Sequence, residues 1–145
     1  ESYLAGCIFR NNLLKLDRHV TMADDGGLQT LHAKNGRPGD LFLFLSYSGI
    51  HYDYSKYAAA LSERGIKPCL ITAFSDSALA RQCDTVLLIP KSERVIGKVA
   101  NYSSMISLTY TLQVIYSLIF NQDYQENYRV KHEADSFIFT SFAEI

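Results

Sequence analysis

Apolar runs that stop abruptly set the rhythm of this chain. Leu41 to Leu45 reads LFLFL and ends at once in Ser46, Tyr47, Ser48 and Gly49. A run without alternation between apolar and polar positions is a strand covered on both faces, as strands of parallel sheets are. CLITAF (69–74) and TVLLI (85–89), the latter closed by Pro90, have the same character. Between the runs lie helical patterns. Ser2 is a good N-cap, and Leu4, Cys7, Ile8 and Leu14 follow at helical spacing, which predicts a helix from Ser2 to about Leu16. HVTMA (19–23) reads as a short strand. Asp24 to Asn35 is a weak helix, because Gly26 and Gly27 lower its stability while Leu28 and Leu31 keep an apolar edge. After the break GRPGD (36–40) and the LFLFL strand, Tyr54 to Arg64 is helical, ended by Gly65 with Pro68 beyond it. SDSALARQC (75–83) predicts a short helix capped by Ser75 or Ser77.

Strand and helix therefore alternate, and parallel neighbours need crossovers that helices usually supply. The expected fold is α/β: a three-layer sandwich with a mostly parallel central sheet flanked by helices. Ligands of such sheets sit outside the carboxyl ends of strands, where loops lead into helix N-termini, and Ser46 to Asp53 is such a loop. From Val99 to Gln122 the chain carries no charge, and SMISLTYTLQVIYSLIF (104–120) nearly has the length of a membrane span. Its many hydroxyls, with Gln113 and an apolar stripe of Met105, Leu108, Leu112, Ile115 and Ile119, favour a helix buried in a core or subunit interface over one in lipid.

The 145 residues suit one domain with one core. Fourteen basic against fifteen acidic side chains, without a basic block, do not advertise nucleic acid. Cys7, Cys69 and Cys83 are odd in number and widely spaced, which indicates neither a disulfide framework nor a zinc site, and a reducing cytoplasm fits best. Glu1 to Asp17 has no signal-peptide pattern.

The loop after LFLFL offers hydroxyl donors at Ser46 and Ser48, a glycine that permits close backbone approach, and the free N–H groups of the next helix. A phosphate fits that equipment. Serines that merely cap and turn the chain fit it equally. LSYSGIHYD (45–53), followed by a helix, KPCLITAFSDSALARQCDTVLLIP (67–90) and an uncharged helix, resembles the sugar isomerase (SIS) domain, and most of all the effector domain of RpiR-type transcriptional regulators. The family's Ser-x-Ser-Gly loop is matched by Ser46, Ser48 and Gly49, and its second unit by Ile71, Thr72, Ser77, Leu79, Ala80 and Asp84.

The resemblance implies a SIS-like, flavodoxin-like sandwich without nucleotide, binding a phosphorylated sugar through Ser2, Ser46, Ser48, Gly49 and His51, with Tyr47 and Glu93 as further candidates. Ser2 stands where the family's first turn has its phosphate-holding serine. His51 replaces the family's Thr or Ser, and an imidazole still donates a hydrogen bond and adds charge when protonated. Asp53 suits a helix start better than ligand contact. The resemblance further implies no cofactor or metal, a homodimer or higher homo-oligomer, no membrane, and DNA binding only through a helix-turn-helix domain upstream. It also places a strand and a glycine-rich turn before Ser2, so residues ahead of Glu1 are expected. Residues 1–145 form the single domain, with 123–145 a tail or intersubunit arm, in which SFIFTSF (136–142) reads either as an edge strand or as an intersubunit arm.

Two rival readings exist. VTMADD (20–25) resembles the acidic pair of a phosphorylated receiver domain, but the central strand ends in Ser46 rather than Asp, and Lys91 follows Pro90 rather than preceding a proline. An aldose–ketose isomerase needs a base able to reach a carbon-bound proton. Candidates are His51, Glu93, His32 and His132. Glu93 in KSERVIGK (91–98) is the best placed, in a loop at the ligand end, although a solvated charged loop explains it more simply. No catalytic motif is evident, and the chain reads as equipped for binding without turnover.

Overall fold

Leu70 and Ile71 are consecutive on strand β2 (Lys67–Thr72), so their side chains leave on opposite faces, and both are fully buried. A strand buried on both faces must lie inside a sheet covered on both sides. The computed structural model, which describes residues 2–143, has that arrangement. β2 is the middle of a three-stranded parallel sheet, with β1 (Leu41–Leu45) on one side and β3 (Thr85–Leu88) on the other. The register sets Leu45 opposite Ile71 and Ile71 opposite Leu87.

Ile71 faces helices α1 (Ser2–Leu14) and α4 (Tyr102–Gln122), which bring Ala5, Phe9, Leu13, Leu108 and Leu112 into one core with Leu43 and Leu45 packed against it. Leu70 faces the other way. It packs on Ala58 of helix α3 (Tyr52–Glu63) and on Leu79 and Ala80, with Phe44 alongside. The three-layer α/β expectation holds. The stripe Met105, Leu108, Leu112, Ile115 and Ile119 is indeed the inner face of α4. Asn12 Nδ2 donates to Gln113 Oε1 at 3.0 Å, so the amide in the middle of that uncharged helix serves as a tie to α1.

Helix α2 (Gly26–Asn35) starts at an Asp25 cap whose carboxylate accepts from Leu28 N at 2.9 Å. Its last carbonyls are answered from the end of α3, where the Arg64 guanidinium donates to Ala33 O and to Gly36 O. Asn127 makes the corner between α4 and helix α5 (Tyr124–Ala143). Only 4% exposed, it donates to Ile119 O and Phe120 O.

Three expectations fail. HVTMA is not a strand: among the described residues β1 pairs only with β2, and 19–23 lies along α1, where a Cβ on Gly6 would touch Met22. A strand needs a neighbour, and this segment has none. SDSALARQC shrinks to a short 3-10 turn, Ala80–Gln82, because Ser77 Oγ accepts from Ala80 N and closes the segment as a turn. SFIFTSF continues α5 instead of forming an edge strand, carried on from ion pairs at helical spacing, Arg129 with Glu126 and Glu133 and Lys131 with Asp135. The end of the tail, residues 144 and 145, lies outside the described residues.

Among the described residues α4 alone has the length and apolarity of a membrane span, with a mean hydropathy of 1.3. Its inner stripe is seated against the sheet and α1.

If the core is centred on β2, Leu70→Ala should cost about 2–5 kcal/mol in urea unfolding. Leu41→Ala, at a position 70% exposed on the neighbouring strand, should stay within about 0.5 kcal/mol. A Leu70 loss below about 1 kcal/mol would contradict the architecture.

Candidate functional site

The turn after β1 is built before any ligand is considered. Ser46 N donates to Ile71 O and Tyr47 O accepts from Ala73 N, so two residues past the strand the chain still follows β2. Thr72 Oγ1 adds a bond to Tyr47 O at 2.9 Å. Ser46 is buried, and its Oγ accepts from Gly49 N at 3.2 Å, which closes the turn and leaves the hydroxyl proton to donate elsewhere. Gly49 takes φ +62°, and a Cβ there would collide with Ser77 Oγ. Its freedom from a side chain is needed for packing on the Ser77 segment, and it is buried there rather than at the cavity wall.

Outside this turn opens a cavity of about 290 Å³. Ser46, Tyr47 and Ser48 line it from the loop, Ser2 and Tyr3 from the start of α1, and His51 and Tyr54 from the start of α3. Four of the five principal sequence candidates, Ser2, Ser46, Ser48 and His51, thus meet at one place. Neither Ser2 nor Ser48 has its hydroxyl engaged with another described residue. His51 is the N-cap of α3 but makes no cap bond; its ring stacks on Tyr54 at 4.8 Å, so the first N–H groups of α3 keep their donors. Asp53 sits exposed in the first turn of α3. Two helix N-termini and several hydroxyls facing one cavity make a site for an anion. Lys98 supplies the cation that the sequence reading missed. It lines the same cavity, with Nζ over the Tyr47 ring at 5.3 Å. Its signal in the sequence was slight: it is the last charge before the uncharged stretch.

Glu93 and Tyr47 are bound to each other. The Tyr47 hydroxyl donates to Glu93 O at 2.9 Å and accepts from Glu93 N at 2.8 Å. The Glu93 carboxylate, 9% exposed, accepts from Ser104 N at 2.8 Å, from Ser104 Oγ at 2.7 Å and from Ser103 Oγ at 3.0 Å, and lies 3.6 Å from Lys98 Nζ. It caps α4. These donors, Ser104 N first, hold its pKa down to about 2 from an ordinary 4.5. The other histidine candidates are elsewhere: His32 is on α2, and His132 is on α5, stacked on Tyr128.

Comparison with known proteins identifies the family and the fold. The SIS domain family model matches residues 1–119. No curated protein sequence matches the chain. Among solved structures, Vibrio vulnificus NanR complexed with ManNAc-6P superposes with a TM-score of 0.82 at 19% identity, over 96% of this chain and 52% of NanR. This chain therefore spans about half of NanR's length. The sugar isomerase domain of an RpiR transcription factor from Sphaerobacter thermophilus gives 0.75 at 23% identity, over 94% and 73% of the two chains. An Escherichia coli CFT073 protein, c3406, in complex with A5P gives 0.70 at 13% identity, over 83% and 64%.

A carboxylate whose folded pKa is depressed stabilises the fold fully above its unfolded value and loses that contribution as pH falls towards the folded one. The difference in Tm between wild type and Glu93→Gln should therefore be constant above pH 5 and shrink between about pH 4.5 and 2. A difference that does not change across that window would mean the carboxylate does not cap α4.

Proposed function

The chain belongs to the SIS domain family, and we propose that within it this is the phosphosugar-sensing effector domain of a transcriptional regulator. One observation carries the reading: Ser2 and, from a stretch of chain over forty residues away, Ser46, Ser48 and His51 line one cavity beside the first residues of α1 and α3. A phosphate there receives hydroxyl and backbone donors, with Lys98 as counter-charge. The structural neighbours support the ligand class, since NanR was solved with ManNAc-6P and the E. coli protein with A5P. They support the regulatory setting too, since one is an RpiR transcription factor. DNA binding belongs to a separate domain in this reading.

Glu93 supports binding without turnover. An isomerase base must exchange a proton near neutral pH. Glu93 commits both carboxylate oxygens to α4, at a pKa of about 2. The isomerase alternative keeps His51 as its candidate base. A cytoplasmic setting, where sugar phosphates occur, suits the three free cysteines. Burial beside Cys69 pushes the Cys83 thiol up to about 11, which keeps it unreactive.

The second element of the proposal is a homodimer. Along α4, Tyr102, Ile106, Tyr110, Val114 and Leu118 form an exposed row four residues apart, opposite the stripe that packs on the sheet. Leu4 and Ile8 are exposed on the neighbouring α1. An apolar row of this length is what a second copy would cover.

Ser48→Ala should weaken a hexose phosphate by about 1.5–3 kcal/mol, the scale of a hydrogen bond to a charged group. The unphosphorylated sugar should bind far worse, and a coupled assay should show no isomerisation. Equal calorimetric affinity for sugar and sugar phosphate sinks the ligand class; turnover that His51→Ala abolishes would move the chain to the isomerases.

Light scattering at micromolar concentration should give twice the monomer mass, and Ile106→Glu with Tyr110→Glu should reduce it to one. A monomeric wild type refutes the dimer.

A further inference from the structure

Asn101 occupies the N-cap of α4, where an asparagine side chain ordinarily accepts a hydrogen bond from the third helical N–H. Here that N–H, of Ser104, is given to Glu93 Oε1 instead, and Asn101 makes no cap bond. Its Oδ1 is nevertheless buried, and it has no hydrogen-bond partner among the described residues. Native proteins seldom leave such an acceptor unpaired without a use for it. Asn101 also lines a second cavity, of about 230 Å³, between the starts of α1 and α4, with Ile89, Met105 and Leu108 as its apolar wall. Ser2, Tyr47 and Lys98 line both this cavity and the one at the Ser46–Ser48 loop. The two cavities are therefore neighbours.

Resting on the phosphosugar reading, we infer that the second cavity receives the end of the ligand remote from its phosphate, and that Asn101 Oδ1 accepts from a hydroxyl or amide N–H there. The phosphate is read by the loop, the helix starts and Lys98. Asn101 reads the sugar. Its oxygen is an acceptor only, so it selects a ligand with a donor at that position over one that lacks it or carries a second acceptor. The apolar wall beside it suits a carbon face or an acyl methyl.

Calorimetry on the full chain with inorganic phosphate and a panel of hexose 6-phosphates, including 2-deoxy, 2-amino and 2-acetamido forms and the available epimers, tests this. Asn101→Ala should leave inorganic phosphate affinity within twofold and weaken the tightest sugar phosphate by about fivefold to tenfold, the size of a lost neutral hydrogen bond. It should also narrow the spread of affinities across the panel. Unliganded Asn101→Ala should melt no lower than wild type, because it removes an acceptor that nothing in the fold satisfies. A lower Tm, or unchanged sugar phosphate affinity while Ser48→Ala still weakens binding, overturns the assignment and leaves the phosphosugar reading intact. If no sugar phosphate binds more tightly than inorganic phosphate, the phosphosugar reading itself fails, and the assignment falls with it.

Discussion

One hydroxyl holds the ligand end of this domain together. The Tyr47 OH bonds to both the carbonyl and the N–H of Glu93, joining the loop that leaves β1 to the loop that leaves β3 across the breadth of the sheet. Tyr47 is in turn fixed by Thr72 and Ala73 through its own carbonyl and by the Phe74 ring at 5.8 Å. Through the Glu93 carboxylate the tie reaches the first turn of α4. The loops after β1 and β3 and the first turn of α4 thereby act as one hydrogen-bonded unit. The cavities lie against this unit, and α4 carries the exposed apolar row along its outer side. A ligand that shifts Tyr47 has a short physical route to α4, through a bonded chain rather than diffuse packing.

The same tie explains how charge is distributed among the helix starts. Three helices begin around the site, and each carries partial positive charge at its N-terminus. At α4 that charge is neutralised internally by Glu93. At α3 the N-cap, His51, makes no side-chain bond, and the first-turn carboxylate, Asp53, is exposed. In the proposed reading the anion is taken on the Ser46–Ser48 side, and the α4 side suits neutral groups. Lys98 stands between the two, close to Glu93 and to both cavities.

What could be read from the sequence were properties set locally. LFLFL and CLITAF are strands because nothing polar interrupts them, and the α4 stripe is visible because its period is helical. Ser46 and Ser48 reach the ligand end because an α/β alternation sends each strand's end to the same edge, and Ser2 joins them from the first turn of α1. Properties set by distant partners were not legible. HVTMA has strand composition but no pairing neighbour among the described residues, and no feature within 19–23 reveals that. Glu93 reads as a free acid in a charged loop until its oxygens are seen against Ser103 and Ser104, which lie ten and eleven residues on. Asn101 reads as an ordinary cap, and only the displacement of its usual partner makes it notable.

The two stretches that carry the family resemblance are one object in space, which accounts for why their combination is informative when Ser-x-Ser-Gly alone is not. Gly49 lies so close to Ser77 that a Cβ would strike its hydroxyl, and Gly49 O accepts from Leu79 N at 3.2 Å. Ser77 Oγ in turn accepts from Ala80 N, holding the turn that Gly49 rests on. A larger residue at 49 would push the loop away from the Ser77 turn, and an altered turn at 77–80 would remove the surface that sets the loop's height. The position of Ser48 at the cavity is therefore determined by a contact made on the opposite side of its own loop. The proposed phosphate site, built on so few residues, needs that support, because a shift of about 1 Å in a hydroxyl is enough to lose a hydrogen bond.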